Sequence, residues 1–234
     1  MTESERVRKL VGRKVRSPRS AALAGILFSL LMIASMILLR TGAIVDPAEI
    51  GPEWLDARSD AVSVILVLIP FAGIAFLWFT GVMRDLLGDL EDKFFATVFL
   101  GSGIILVVMM YVWAAAYGAI FGTYQVAAGV LTGFDVFVYA SVFTNQLIGN
   151  YFLRMAAVYM LSSGSLWTRT EAMPRWMSII TFIVALSFLL FAGTLRWARY
   201  IFPAWVLLVS VYILILNYRL TQEHEGSEEP SLDV

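Results

Sequence analysis

The chain has 234 residues, of which 59% are hydrophobic and 15% are charged, whereas an ordinary soluble domain is about half apolar and about a quarter charged. A chain of this size cannot enclose so much apolar surface, so the composition excludes a soluble globular enzyme and indicates that lipid is the main solvent. The 17 Lys and Arg residues against 18 Asp and Glu leave no basic excess for a nucleic-acid partner. The lack of cysteine excludes disulfides, thiolate metal sites and cysteine nucleophiles.

Six long apolar runs predict six membrane-spanning helices, since a helix needs about 20 apolar residues to cross a bilayer core of about 30 Å. Only the fourth run contains an internal charge, Arg154. The runs cover residues 21–39, 61–83, 94–117, 136–161, 176–195 and 199–218. The expected fold class is therefore an all-α integral membrane protein, in which residues 21–218 form one bundle of six transmembrane helices.

The first run follows a basic segment, as the apolar part of a signal peptide does. Its 19 residues exceed the usual apolar region of about 7–15 residues, so we interpret it as a retained signal-anchor helix. Cleavage near Ala43 is the alternative interpretation.

The distribution of Lys and Arg predicts the orientation, because cytoplasmic flanks carry an excess of these residues. With the N-terminus inside, the loops and tails on the inner side hold most of the cations. The outer side then receives Arg40, Arg58, Arg196 and Arg199. Both termini are therefore predicted to be cytoplasmic, and the protein is predicted to be a multi-pass protein of the cell (plasma) membrane.

The two ends of the chain have opposite charge. Residues 1–20 form a basic cytoplasmic segment that is expected to lie against anionic lipid headgroups. Residues 219–234 form an acidic tail whose composition predicts disorder. The expected partners are membrane lipids, with a homo-oligomer or a protein partner left open and no nucleic acid.

Two predicted outer connections differ in polarity. Residues 41–60 are acidic, which is compatible with a weak divalent-cation site, but a solvated acidic loop explains them without a metal. Residues 118–135 contain no Lys or Arg and are too apolar for a solvated loop. They are expected to prolong the third span or to lie in the membrane interface.

Small residues and one proline predict packing features. Ala114, Gly118 and Gly122 are four residues apart, so they line one face of a helix and allow a neighbouring backbone to approach closely. Pro70 lies inside the second span and removes one backbone hydrogen bond, which predicts a kink.

The fourth span contains a polar stripe, because Gln146, Asn150 and Arg154 follow one another at intervals of four residues. Asn145 and Tyr151 flank the stripe. In a structural interpretation, the two amides bond neighbouring helices and Arg154 extends to the cytoplasmic headgroups. In a functional interpretation, the stripe lines a pocket or pathway in which Arg154 holds an anionic group.

The loop between the second and third spans is rich in charge, with Arg84, Asp85, Glu91 and Asp92 among its residues. Helix capping and the excess of cytoplasmic cations explain these charges, so the loop is assigned a structural role. A salt bridge from Arg154 to Asp85 or Glu91 is a further hypothesis.

The same region carries a resemblance to a known group of proteins. Its residues are Pro70 to Phe79, Gly81, Arg84-Asp85, Gly88, Glu91-Asp92 and Phe94 to Gly103. This stretch, about residues 70–103, resembles uncharacterised bacterial multi-pass membrane proteins. The resemblance implies a bacterial membrane location and transfers neither an activity nor a functional residue.

Searching the sequence for catalytic motifs finds no phosphate-binding glycine loop, no metalloprotease histidine pair and no Ser-His arrangement. No catalytic residue, metal or cofactor is predicted. The leading hypothesis is a small non-enzymatic membrane protein, which is transporter-like, channel-like or an accessory subunit and uses the polar stripe. The alternatives are a membrane-bound enzyme or binding protein acting on lipid headgroups, and a structural or assembly factor.

Overall fold

The computed structural model describes residues 3–40, 52–87, 93–126, 134–170, 173–194 and 197–227. All the regular structure in these ranges is helical, which confirms the all-α class. The α-helices are α1 (Glu3–Arg40), α2 (Pro52–Leu87), α3 (Lys93–Val126), α4 (Phe134–Gln146), α5 (Leu153–Thr170), α6 (Arg175–Phe191) and α7 (Ala198–Ser227). A π-helical segment, Leu147–Phe152, joins α4 to α5 without a break, so these three elements form one continuous helix.

Four helices are long and apolar enough to cross a membrane. Their apolar parts are Arg19–Leu38 in α1, Ser59–Arg84 in α2, Phe94–Thr123 in α3 and Ala198–Arg219 in α7. Helix α6 is apolar but shorter. The predicted fourth span falls on the continuous helix from α4 to α5, and the fifth falls on α6.

Several helices extend beyond the predicted spans. Helix α1 begins at Glu3, inside the basic segment, and α7 continues to Ser227, inside the predicted acidic tail. Helix α3 continues to Val126, so the first half of the connection over 118–135 prolongs the third helix. A helix that is already formed gains one hydrogen bond for each residue added, and the Lys, Arg, Glu and Gln residues in the two tails are good helix formers.

The helices pack in a defined order. Helix α1 packs between α2 and α7, α2 packs against α3, α3 against α5, and α5 against α6. The bundle centre is filled by aromatic rings from four helices, namely Phe28, Phe76, Tyr159 and Phe202, all fully buried. The ring centroids lie 4.7 Å apart for Phe28 and Phe76, and 5.2 Å apart for Phe76 and Tyr159.

Small residues bring α1 close to its neighbours. Ala21, Gly25 and Ser29, spaced four residues apart, are on the packed face of α1. A Cβ atom on Gly25 would collide with the Ser210 hydroxyl and would lie 2.8 Å from the Phe79 ring. This stripe was not predicted, although its spacing matches the small-residue pattern of packed membrane helices.

The packing residues predicted on α3 have three different environments. Ala114 is buried, a Cβ on Gly118 would lie 3.0 Å from Leu66, and the space around Gly122 is open. Pro70 lies within the continuous helix α2. Its carbonyl oxygen accepts a hydrogen bond of 3.2 Å from the Tyr111 hydroxyl on α3.

Candidate functional site

The predicted polar stripe lies on the continuous helix from α4 to α5, and its middle residue is in the π-helical segment. A π-helical turn is wider than an α-helical turn, because its backbone hydrogen bonds span five residues, and such segments often occur at functional sites. The Asn150 carbonyl accepts a hydrogen bond from the backbone N–H of Leu153. The hydrogen-bonding pattern of the helix therefore changes at Asn150, the middle residue of the stripe.

The three stripe residues form one chain of side-chain hydrogen bonds, which we call the polar ladder (Gln146, Asn150 and Arg154). The Asn150 amide nitrogen donates to the Gln146 side-chain oxygen. The Arg154 Nη1 donates to Asn150 Oδ1 at 3.1 Å and to the Asn150 carbonyl oxygen at 3.4 Å. The spacing of four residues thus brings the three side chains into hydrogen-bond contact with one another on the same helix.

The guanidinium of Arg154 is directed towards the N-terminal end of its helix. Both of its bonds go to Asn150, which precedes it by one turn, and helical side chains lean in this direction. The structural interpretation had Arg154 extending the other way, towards the end of the helix that carries Arg169. The structure differs because Asn150 offers Arg154 a charge-assisted hydrogen bond on its N-terminal side.

The depth of Arg154 follows from a neighbouring contact. The Tyr159 hydroxyl lies 3.0 Å from the Thr80 hydroxyl, and Thr80 is four residues from the Arg84 end of the apolar part of α2. Arg154 lies five residues further from that end, which places its Cα about 13 Å inside it at 1.5 Å per residue.

The polar ladder is on the outer surface of the bundle. Gln146 and Arg154 are exposed and Asn150 is half-buried. Tyr151, which was predicted to flank the stripe, is 61% exposed. The ladder therefore faces outwards, away from the aromatic centre.

The turn between α6 and α7 packs directly against the π-helical segment. Gly193 in this turn has a φ of +87°, which favours glycine. A Cβ on Gly193 would lie 3.0 Å from Asn150 Cγ, and a Cβ on Gly149 would lie 4.0 Å from the Gly193 Cα. Gly193 was not predicted as a site residue, although a glycine just after an apolar helix is a recognised helix-termination signal.

A second cation approaches the other flanking residue. Asn145 donates a hydrogen bond to the Ser141 carbonyl at 2.9 Å and accepts one of 3.5 Å from Arg199 on α7. Arg199 was predicted only as one of the outer cations. The structure thus brings an arginine from α7 next to the stripe, a contact between residues that are 54 positions apart.

The predicted charge loop is only partly described. Arg84 is exposed at the end of the apolar part of α2. The side chain of Asp85 and the whole of Glu91 and Asp92 lie outside the described residues, so the proposed salt bridge to Arg154 stays a hypothesis. Within the described ranges, no group of three or more His, Cys, Asp or Glu residues could hold a metal ion.

The site offers hydrogen-bond donors, acceptors and a positive charge, which suit the binding of an anionic or polar group. Comparisons with protein-family models, with curated proteins and with solved structures found no match to this chain.

Proposed function

We propose that the chain is an integral membrane protein with six spans and both termini in the cytoplasm, and that it is a non-enzymatic accessory protein. In this proposal, the polar ladder binds a second membrane protein. The observation that carries the proposal is a hydrogen-bonded ladder with a charged end on the exposed side of a helix. The bacterial membrane location is part of the proposal and rests on the resemblance over residues 70–103.

The six-span arrangement is supported by four long apolar helices and by the position of the other two. Helix α6 has 17 residues, which is at the lower limit of about 17–25 residues for a membrane span. Helix α5 packs against both α3 and α6. The continuous helix from α4 to α5 therefore lies beside a helix that is long enough to span the membrane.

With six spans, Arg154 would lie close to the middle of a bilayer core of about 30 Å. An arginine in the middle of a membrane helix costs from about 2.5 to more than 10 kcal/mol, depending on how far it remains hydrated. Within the described part of the chain, the hydrogen bonds of Arg154 are those that Nη1 donates to Asn150. The Nε and Nη2 atoms have donors left for a carboxylate or carbonyl of a partner, which would offset part of this cost.

Three observations favour an accessory role over the other hypotheses. Aromatic rings occupy the centre of the bundle where α1, α2, α5 and α7 meet, so a transport pathway through this centre has no support. The Arg154 contacts are an amide oxygen and a backbone carbonyl, which do not act as a general acid or base. In a parallel dimer formed through this face, the two Arg154 side chains would meet at equal depth and repel, which favours a different protein as partner.

Single-cysteine labelling tests the orientation, because the chain has no cysteine of its own. Thr194 in the α6–α7 turn and Tyr218 near the other end of α7 are both exposed. We expect Thr194→Cys to react with a membrane-impermeant maleimide in intact cells, and Tyr218→Cys to react only after the membrane is opened. The reverse pattern would contradict the orientation.

Photo-crosslinking in native membranes tests the partner. A photoreactive amino acid at Tyr151, next to the ladder, is compared with one at Ile183, an equally exposed residue on α6 at 60%. We expect Tyr151 to give a protein adduct of one discrete mass, and Ile183 to give lipid adducts. Lipid adducts alone at both positions would argue against a protein partner on this face.

A further inference from the structure

A cleft of about 350 Å³ opens on the surface between α6 and α7, away from the polar ladder. Its walls are almost entirely apolar, and the buried side chain of Met177 is among its lining residues. The other lining residues are Trp176, Ala204, Leu207, Leu208, Val211, Tyr212 and Ile215. The rings of Trp176 and Tyr212 are in edge-to-face contact with their centroids 6.4 Å apart.

The α7 wall of the cleft is about as long as one bilayer leaflet is thick, and α6 contributes Trp176 and Met177 at one end. Along α7 it extends from Ile215 to Ala204, a distance of about 16 Å at 1.5 Å per residue. One leaflet contributes about 15 Å of a hydrocarbon core of about 30 Å. Trp205, which follows Ala204 on α7, donates a hydrogen bond of 2.9 Å from its indole N–H to Thr181 on α6.

Two exposed arginines follow or precede residues that line the end of the cleft opposite Ala204. Arg175 immediately precedes Trp176 at the start of α6, and it is exposed. Arg219, also exposed, follows Ile215 by four residues and so continues the cleft-lining face of α7. Helical side chains lean in general towards the N-terminus of their helix, which for Arg219 is the direction of Ile215.

An apolar cleft with two exposed arginines near one end is complementary to a lipid with a negative headgroup. One acyl chain of that lipid would occupy the cleft, and the headgroup would lie near the arginines. We propose that this cleft binds an anionic glycerophospholipid, with an acyl chain between α6 and α7 and the phosphate at Arg175 and Arg219. This site is separate from the polar ladder and does not depend on the proposed partner.

Native mass spectrometry of the purified full chain tests the proposal, using phosphatidylglycerol and phosphatidylcholine with identical acyl chains. We expect the wild-type protein to retain phosphatidylglycerol preferentially. Replacing both arginines (Arg175→Gln with Arg219→Gln) should lower this retention by about fivefold per arginine, as expected for a cation near a phosphate. The control is Arg84→Gln, which removes an exposed arginine on α2, a helix that contributes no lining residue to the cleft.

A second variant, Ala204→Phe, fills the cleft and leaves both arginines in place. Ala204 is exposed, so a larger side chain there does not enter the core. We expect this variant to lose bound phosphatidylglycerol, and we expect brominated lipid to quench less fluorescence in Trp176→Phe than in the wild type. Each of three results would overturn the proposal. The first is that wild type and Ala204→Phe retain phosphatidylglycerol equally, and the second is that Arg84→Gln loses as much of it as the double arginine variant. The third is that the wild type shows no preference for phosphatidylglycerol over phosphatidylcholine.

Discussion

Gly193 lies against the side chain of Asn150, although 43 residues separate the two positions in the sequence. The backbone of Gly193 has a φ of +87°, and a Cβ there would lie 3.0 Å from Asn150 Cγ. The turn that follows α6 therefore supports the residue that connects the two ends of the polar ladder.

The first prediction concerns this contact. We expect Gly193→Ala to lower the free energy of unfolding by about 1–3 kcal/mol, because alanine is strained at this φ and its Cβ displaces Asn150. Thermal unfolding in detergent measures the change. The matched control is Gly122→Ala, where the added Cβ meets nothing within 4 Å and where alanine favours the helix by up to about 1 kcal/mol. If the two variants melt alike, Gly193 does not support Asn150 as described.

The second prediction concerns the close approach of α1 to α7. We expect Gly25→Ala to be destabilising by about 1–3 kcal/mol, because the new Cβ overpacks against the Ser210 hydroxyl. The Ser210 hydroxyl is buried without a hydrogen-bond partner among the described residues, so Ser210→Ala should restore part of the loss in the double variant.

The control for that comparison is Gly101→Ala, because a Cβ on Gly101 also meets nothing within 4 Å. Its melting temperature should match or exceed that of the wild type. Failure of Ser210→Ala to restore any stability to Gly25→Ala would show that the hydroxyl is not the obstructing group.

The third prediction concerns the buried hydrogen bond between Thr80 and Tyr159. Each single variant, Thr80→Val or Tyr159→Phe, should cost about 1–2 kcal/mol, because it leaves the other hydroxyl buried without this partner. The double variant should cost no more than either single one. Additive losses in this double-mutant cycle would mean that the two hydroxyls do not interact.

Hydropathy was sufficient to predict the helical class and the approximate positions of the helices. Charge-free apolar runs identify where a helix must bury its backbone in lipid, and α2 and α3 contain the runs predicted for them. Helix ends were less predictable, because the continuation of α1 to Glu3 and of α7 to Ser227 depends on helix propagation and not on apolar content. The role of Gly25 depends on Ser210, which lies in the last helix, and no local pattern identifies that partner.

The polar ladder was partly predictable from sequence. Spacing alone put Gln146, Asn150 and Arg154 on one face, and the structure joins them by hydrogen bonds. The π-helical segment was not predictable, because it occurs where the chain meets the distant turn containing Gly193. The direction of Arg154 follows the general lean of helical side chains towards the N-terminus, which the structural interpretation did not take into account. The contact between Arg199 and Asn145 is likewise a product of tertiary packing.

The most direct test of the proposed function is the dependence of the Tyr151 photo-adduct on Arg154. In an Arg154→Leu chain, we expect the yield of the protein adduct in native membranes to fall about tenfold, equivalent to losing one charged hydrogen bond of about 1.4 kcal/mol. The same substitution should leave the melting temperature of the purified protein unchanged or raised, because an exposed charge is replaced by an apolar side chain. An unchanged adduct yield in folded Arg154→Leu protein would contradict a partner-binding role for the polar ladder.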